Sequence, residues 1–411
     1  MLIMNIMFLT LAKIGTLDER GIYQDLLNEL IRRGHYVAVI SPLETREQSE
    51  SYFVEGDSYR LLRTKIGNTQ KTHLLEKGIS TLTLEQKYTN AIVKYFPEKY
   101  DLVLYSTPPV TLVRAIRFIK KRDHAKTYLM LKDIFPQNAL DLGMLKTTGL
   151  KGLAYRYFKW KERQLYQVSD YIGCMSFKNK EYLLGHNRYL SSDKVEVFPN
   201  CFQMLPKRNV LENGASLRKK YYIRKDAVVF LFGGNIGIPQ GIDFLVKVLE
   251  RINNMEGLFF LIVGSGTESY RVEEFIEQHR PRNIAYLKQL PRNDYEAMVD
   301  VCDVGIVLLD TRFTIPNFPS RVLSYMSVAK PVLAATDACT DLKDAILEGQ
   351  FGLWSLAGDI EGFINNVNTL KNDPALRHQM GRNARCFMEE HYDIAKNVHI
   401  ILNHFQDTEE R

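Results

Sequence analysis

The feature that most constrains this chain is an alternation that runs, stops and starts again. Apolar runs of strand length, "NIMFLTLA", "YVAVISP", "YDLVLYS" and "TYLML", are separated by segments of helical spacing. In "RGIYQDLLNELIRRGH", Ile22, Leu26, Leu30 and Ile31 share one face and Gly34 ends the helix. Residues 51–63 read as a hairpin, 65–78 as a polar loop and 81–97 as a helix. This alternation predicts a parallel sheet with helices on both faces. "DKVEVFPNCFQMLPKR" reads as a last short strand running into a Pro-containing polar connection, and the alternation then restarts. Further strands are expected at "AVVFLFGG", "LFFLIVG", "IAYL", "VGIVLL" and "PVLAAT".

A length of 411 residues suits two cores, since single cores rarely grow beyond about 250 residues. The expectation is α/β: two Rossmann-like, doubly wound domains, residues 1–203 and 204–389, facing a central cleft at their strand ends. With 45% hydrophobic and 25% charged residues the chain falls in the soluble globular class. The opening apolar run has no positive residue before it and no cleavage site after it, so it reads as a buried strand. No run approaches the roughly 20 apolar residues of a membrane-spanning helix. Five cysteines without paired spacing and nine scattered histidines point to a reducing compartment and to no metal.

Several stretches carry chemistry. "FLFGGNIGIPQGIDFLVKVL" places Gly233, Gly234 and Gly237 between a strand and a helix, where the backbone can approach a phosphate, or where a turn merely needs glycine. "LIVGSGTES" repeats the arrangement with Gly264 and Gly266. Ser269 and the missing acidic residue break the dinucleotide fingerprint, which counts against a nicotinamide enzyme. In "TIPNFPSRVLSYMSVAKPVLAATD", Ser320 is a candidate N-cap. The amides of Arg321, Val322 and Leu323, together with the Arg321 guanidinium, could hold a diphosphate. In "YLMLKDIFPQNALDLG", Lys132 and Asp133 follow a strand. Asp133 could accept a proton from an attacking hydroxyl, cap the next turn, or do both.

Residues 146–163 mix Lys146, Lys151, Arg156, Lys159, Lys161 and Arg163 with Leu150, Leu153, Tyr157, Phe158 and Trp160. That mixture suits an anionic membrane surface or a solvated helix face, and the formal charge of +6 agrees with an anionic partner. No nucleic-acid recognition motif accompanies it.

In their order and spacing these stretches resemble retaining glycosyltransferases of family 4, which have the GT-B fold. The resemblance runs from "RGIYQDLLNELIRRGHYVAVIS" through "VFPN", "GGNIGIPQG", "LIVGSGTE" and "AKPVLAATD" to "NDPALRHQMGRNARCFMEEHY". "LKDIFPQNALDLG" and "FPSRVLSYM" are similar to the branch that builds bacterial capsule and O-antigen repeat units, including N-acetyl-L-fucosamine transferases. The resemblance implies transfer of a sugar, with retention, from a nucleoside diphosphate, UDP foremost, to a polyprenyl-diphosphate-linked saccharide. It implies a cytoplasmic protein, peripheral at the inner face of the cell membrane, without cofactor or metal. The final helices, about 390–411, are expected to pack back on the first domain.

Carried onto this sequence, the donor would meet Gly234, Asn235, Gly237, Gln240, Gly264 and Gly266. Leu290, Asn317, Ser320, Arg321 and Ser324 would complete its surroundings. Gly15 and Arg20 would face the acceptor, with Lys132 and Asp133 at the chemistry. Departures stand out. Of two family glutamates eight positions apart, Ser324 replaces the second and Pro316 or Asn317 lies near the first. Asn235 and Gln240 stand where an Arg and a Lys are common, and Lys132 where a histidine is. Arg321 is the candidate for the lost positive charge. Two other readings fit: a catalytically silent partner or membrane-binding subunit, and a GT-B epimerase acting on UDP-N-acetylhexosamine.

Overall fold

The computed structural model describes residues 3–68, 74–204, 211–221 and 223–405. The chain divides into two units: residues 1–203 with 394–411, and residues 204–393.

The first unit holds eight strands: β1 (Asn5–Leu9), β2 (Tyr36–Glu44), β3 (Tyr52–Gly56), β4 (Tyr59–Ile66), β5 (Leu102–Ser106), β6 (Lys126–Leu131), β7 (Tyr171–Cys174) and β8 (Val195–Val197). Their order is β3-β4-β2-β1-β5-β6-β7-β8, parallel except for the β3/β4 hairpin. The chain steps from β1 to β2 on one side and later resumes with β5 on the other. The loops after β1 and β5 therefore flank the switch point where open α/β sheets bind ligands. On one face Ile6, Phe8, Leu26 and Leu30 share a core with Ile394, Val398, Ile401 and Leu402, so the helix Ile394–Leu402 belongs to this unit.

The second unit holds β9 (Val228–Gly233), β10 (Leu258–Val263), β11 (Ile284–Leu287), β12 (Val304–Leu308), β13 (Val332–Thr336) and β14 (Gly352–Leu356), all parallel in the order β11-β10-β9-β12-β13-β14. All six residues of β10 are buried, as expected of a strand covered on both faces. Here the switch point lies between β9 and β12.

One expectation needs correction. The polar loop at 65–78 ends β4 at one side, where Ile66 pairs with Glu44, and at the other is already helix, Leu74–Tyr95. Its residues 69–73 lie outside the described residues. The helix is propagated back from a buried stripe of Leu84, Tyr88 and Ile92, because packing of one face outweighs local polarity. The short strands β7 and β14 were not foreseen.

Candidate functional site

At the switch point of the second unit, the turn after β9 is exposed at Gly234 and Asn235. Gly234 has φ +115°, a left-handed conformation that suits glycine. The neighbouring turn after β10 locks against it. A Cβ on Gly264 would lie 1.8 Å from the Gly234 carbonyl oxygen, and one on Gly266 2.1 Å from that of Ile236. The amide of Gly266 is taken by Ser269 Oγ at 2.8 Å and that of Gly264 by the Leu287 carbonyl at 2.9 Å. Gly264 and Gly266 are therefore required by loop-to-loop packing. Asn235 Nδ2 donates to Gln240 Oε1 at 2.9 Å, and the same oxygen accepts from the backbone amide of Gly237 at 3.2 Å. These bonds fix the exposed turn internally.

Beneath this turn lies Arg321. Its Nη2 is 3.6 Å from the position of a Gly234 Cβ, and its guanidinium carbon is 4.9 Å from the centroid of the Phe232 ring. Nη1 is buried and has no hydrogen-bond partner among the described residues. Burial pulls the guanidinium below its usual value, and the charges that act against this come from tyrosines, Tyr325 and Tyr295, not from a carboxylate. A guanidinium stays protonated even so. This is a buried cation set against the Phe232 ring and two tyrosines without a carboxylate, an arrangement that costs free energy.

What carries Arg321 is Tyr325, which the local pattern does not reveal. Tyr325 Oη donates to the Leu231 carbonyl at 2.9 Å and accepts from the Gly233 amide at 3.2 Å, fastening the helix Arg321–Ser327 to the end of β9. A Cβ on Gly305, the second residue of β12, would meet the Tyr325 ring at 2.1 Å. A glycine inside an apolar strand was the available signal of that close approach.

Two details of this helix differ from expectation. Ser320 is itself helical (φ −59°, ψ −19°) and makes no side-chain cap bond. The amides of Val322 and Leu323 donate to the carbonyls of Pro319 and Ser320, at 3.2 and 3.1 Å, because the short helix opens with a tight turn. Charge at this helix start therefore comes from the guanidinium. Ser324 is half-buried one turn on, Asn317 lies in the preceding loop and accepts at its carbonyl from Thr340 Oγ1, and Leu290 is half-buried after β11.

In the first unit, Lys132 and Asp133 follow β6. Asp133 and Thr107, which follows β5, exchange two bonds: the Asp133 amide donates to Thr107 Oγ1 at 3.1 Å, and that hydroxyl donates to the Asp133 carbonyl at 2.9 Å. The Asp133 carboxylate accepts from Asn138 Nδ2 at 2.6 Å. It also accepts from the backbone of Ile134 at the start of the turn, while the helix Gln137–Asp141 that follows has Pro136 as its N-cap. Burial raises this carboxyl to about 6, against the opposing bond from Asn138. Burial lowers Lys132 to about 8. Gly15 sits in an open loop after β1, while Arg20 donates to the Gln203 carbonyl at 3.0 Å and so ties that loop to the connecting segment.

The helix Gly149–Val168 turns Leu150, Leu153 and Trp160 outward, at 86%, 56% and 52% exposure. Exposed Lys146, Lys151, Arg156 and Arg163 flank them. The basic face is smaller than expected. Lys161 is buried against Glu85 at 2.7 Å, and Lys159 pairs with Glu162 at 2.6 Å. No helix among the described residues is long and apolar enough to cross a membrane.

Residues 215–387 match the family model of glycosyl transferases group 1. The second unit is a glycosyltransferase group 1 domain. The chain is accordingly a glycosyltransferase, and its two parallel-sheet units give it the GT-B fold. This glycosyltransferase is 23% identical to the probable glycosyltransferase WbjE of Pseudomonas aeruginosa over 341 residues, 80% of each chain. It is also 23% identical over 261 residues to WcaI of Escherichia coli, a putative colanic acid biosynthesis glycosyl transferase, covering 61% of this chain and 63% of that one. Its fold matches sucrose-phosphate synthase of Thermosynechococcus elongatus with a TM-score of 0.72 at 16% identity, across 98% of both chains. Alr3699/HepE of Anabaena, solved with UDP, matches with a TM-score of 0.66 at 14% identity, across 98% of this chain and 99% of that one.

Proposed function

We propose that this glycosyltransferase moves a sugar, with retention of configuration, from a nucleoside diphosphate donor, UDP foremost, to a hydroxyl of a lipid-linked saccharide in bacterial surface polysaccharide synthesis. The observation that carries the donor reading is Arg321: a buried guanidinium without a carboxylate, under the exposed turn Gly234–Asn235. A diphosphate supplies the missing counter-charge, and charge-assisted bonds of this kind are about twice as strong as neutral ones. As the bond between C1 and the diphosphate oxygen breaks, Arg321 stabilises the negative charge that collects on the leaving group. The acceptor oxygen forms the new bond to C1, and its proton passes to Asp133, whose carboxyl, raised to about 6, is ionised at neutral pH. No metal or cofactor takes part.

The UDP of HepE and the polysaccharide role in the description of WcaI support this reading. The apolar stripe Leu150, Leu153 and Trp160 with its basic flank supports placing the protein at an anionic membrane face, where a polyprenyl-linked acceptor resides.

Calorimetry with UDP tests the donor reading. The wild type binds, and Arg321→Met weakens binding about tenfold or more. A wild type that binds no nucleoside diphosphate is instead a silent partner subunit. Epimerised sugar nucleotide formed without acceptor would make it an epimerase.

A further inference from the structure

We propose that Lys132 is a second anion-binding group, in the first unit, that takes a phosphate or carboxylate oxygen. Its Nζ is buried and has no hydrogen-bond partner among the described residues. The groups around it are a Phe198 ring, 5.0 Å from Nζ to the centroid, and the thiols of Cys174 and Cys201. The Cys174 thiol is pushed up to about 12 by burial, so it stays neutral and offers no counter-charge. Asp133, next in sequence, is bonded to Asn138 and makes no ion pair with Lys132.

Two other lysines of the same unit have carboxylate partners. Lys161 Nζ lies 2.7 Å from Glu85, and Lys120 Nζ lies 2.6 Å from Asp170. Lys132 is set apart from these by its lack of a carboxylate, and it sits just past the carboxyl end of β6, the edge at which open α/β sheets bind ligands. An anionic oxygen for Lys132 is the chemistry of a sugar phosphate or a sugar carboxylate. Assigning that anion to the acceptor rests on the transferase reading; the anion site itself does not.

The test uses the full chain carrying Arg321→Met, which removes the anion group of the second unit. Calorimetry with inorganic pyrophosphate and, separately, with glucuronate reads the remaining site, and whichever probe binds identifies phosphate or carboxylate as the ligand. Adding Lys132→Met is expected to weaken that binding about tenfold or more, while Lys132→Arg retains it within about threefold. The melting temperature of Lys132→Met is expected to hold or rise, since an unpaired buried charge is lost. If Arg321→Met does not fold, the wild type saturated with UDP takes its place. The proposal is overturned if neither probe binds, if Lys132→Met leaves binding unchanged, or if it lowers the melting temperature without altering binding. In otherwise wild-type protein, Lys132→Met leaves UDP affinity intact, so the donor reading stands or falls separately.

Discussion

The two glycine turns of the second unit look alike in sequence and differ in what the glycines are for. After β10, Gly264 and Gly266 exist because neighbouring carbonyls occupy the space of a side chain. After β9, Gly234 has room: the nearest side-chain atoms are those of Arg321, 3.6 Å away, and the turn is open to solvent. One turn is a wedge that positions the other. A glycine turn thus leaves room for a ligand only where access accompanies it, and here the neighbouring charge, Arg321, comes from the helix that follows β12.

The largest effect should come from breaking the wedge. Gly264→Ala combines φ +146° with a backbone overlap at 1.8 Å, so we expect destabilisation of about 3 kcal/mol or more, read by denaturant unfolding, with loss of UDP binding as the first turn shifts. Near-native stability would mean the turns are not locked together.

Asp133→Asn serves as the control from the other unit. Turnover should fall about a hundredfold while UDP affinity is unchanged. Wild-type turnover should climb with pH through about 6 as the carboxyl ionises, and the variant should lose that limb. The stability consequence has the opposite sign. Because burial raises this acid, the folded chain holds the proton more tightly than the unfolded one, and its contribution to stability declines as pH rises from 3.8 towards 6. In the asparagine variant that decline should vanish from the melting curve.

Arg321→Met separates binding from folding at the exposed turn. Alongside its weakened UDP binding, its melting temperature should be unchanged or higher, as an unpaired buried charge is removed. A marked drop would recast Arg321 as a structural prop. The smallest effect is expected for Gly234→Ala: about 1 kcal/mol of backbone strain at φ +115°, and a loss of UDP affinity of about threefold, far short of the change at Gly264.

Strands buried on both faces were the most legible part of the sequence. β1, β2, β9, β10, β12 and β13 are mainly apolar runs because most of their side chains are buried, with the polar exceptions Asn5, Ser41, Glu44 and Thr336 at or towards strand ends. β7 and β14 escaped because Gly173 interrupts the short run "YIGC" and Ser355 the run "GLWSL", leaving too little for a periodicity to register. Site residues divided along a similar line. Gly234 and Arg321 could be named from motif position, but the packing of Phe232, Tyr295 and Tyr325 around the guanidinium depends on three separate elements meeting, which local pattern does not encode. The role of Gly264 was likewise hidden, since a wedge and a phosphate cradle require the same residue.

The helix Ile394–Leu402 completes the core of the first unit, and the Ile394 amide donates to the Phe202 carbonyl at 3.1 Å. The second unit is thus spliced into the first. During synthesis the first unit begins before the second and closes after it, leaving the apolar surface around Leu26 and Leu30 without its cover while some 190 intervening residues emerge, about ten seconds or more at ordinary elongation rates. Chaperone dependence and sensitivity to premature stops should therefore concentrate on the unit made first.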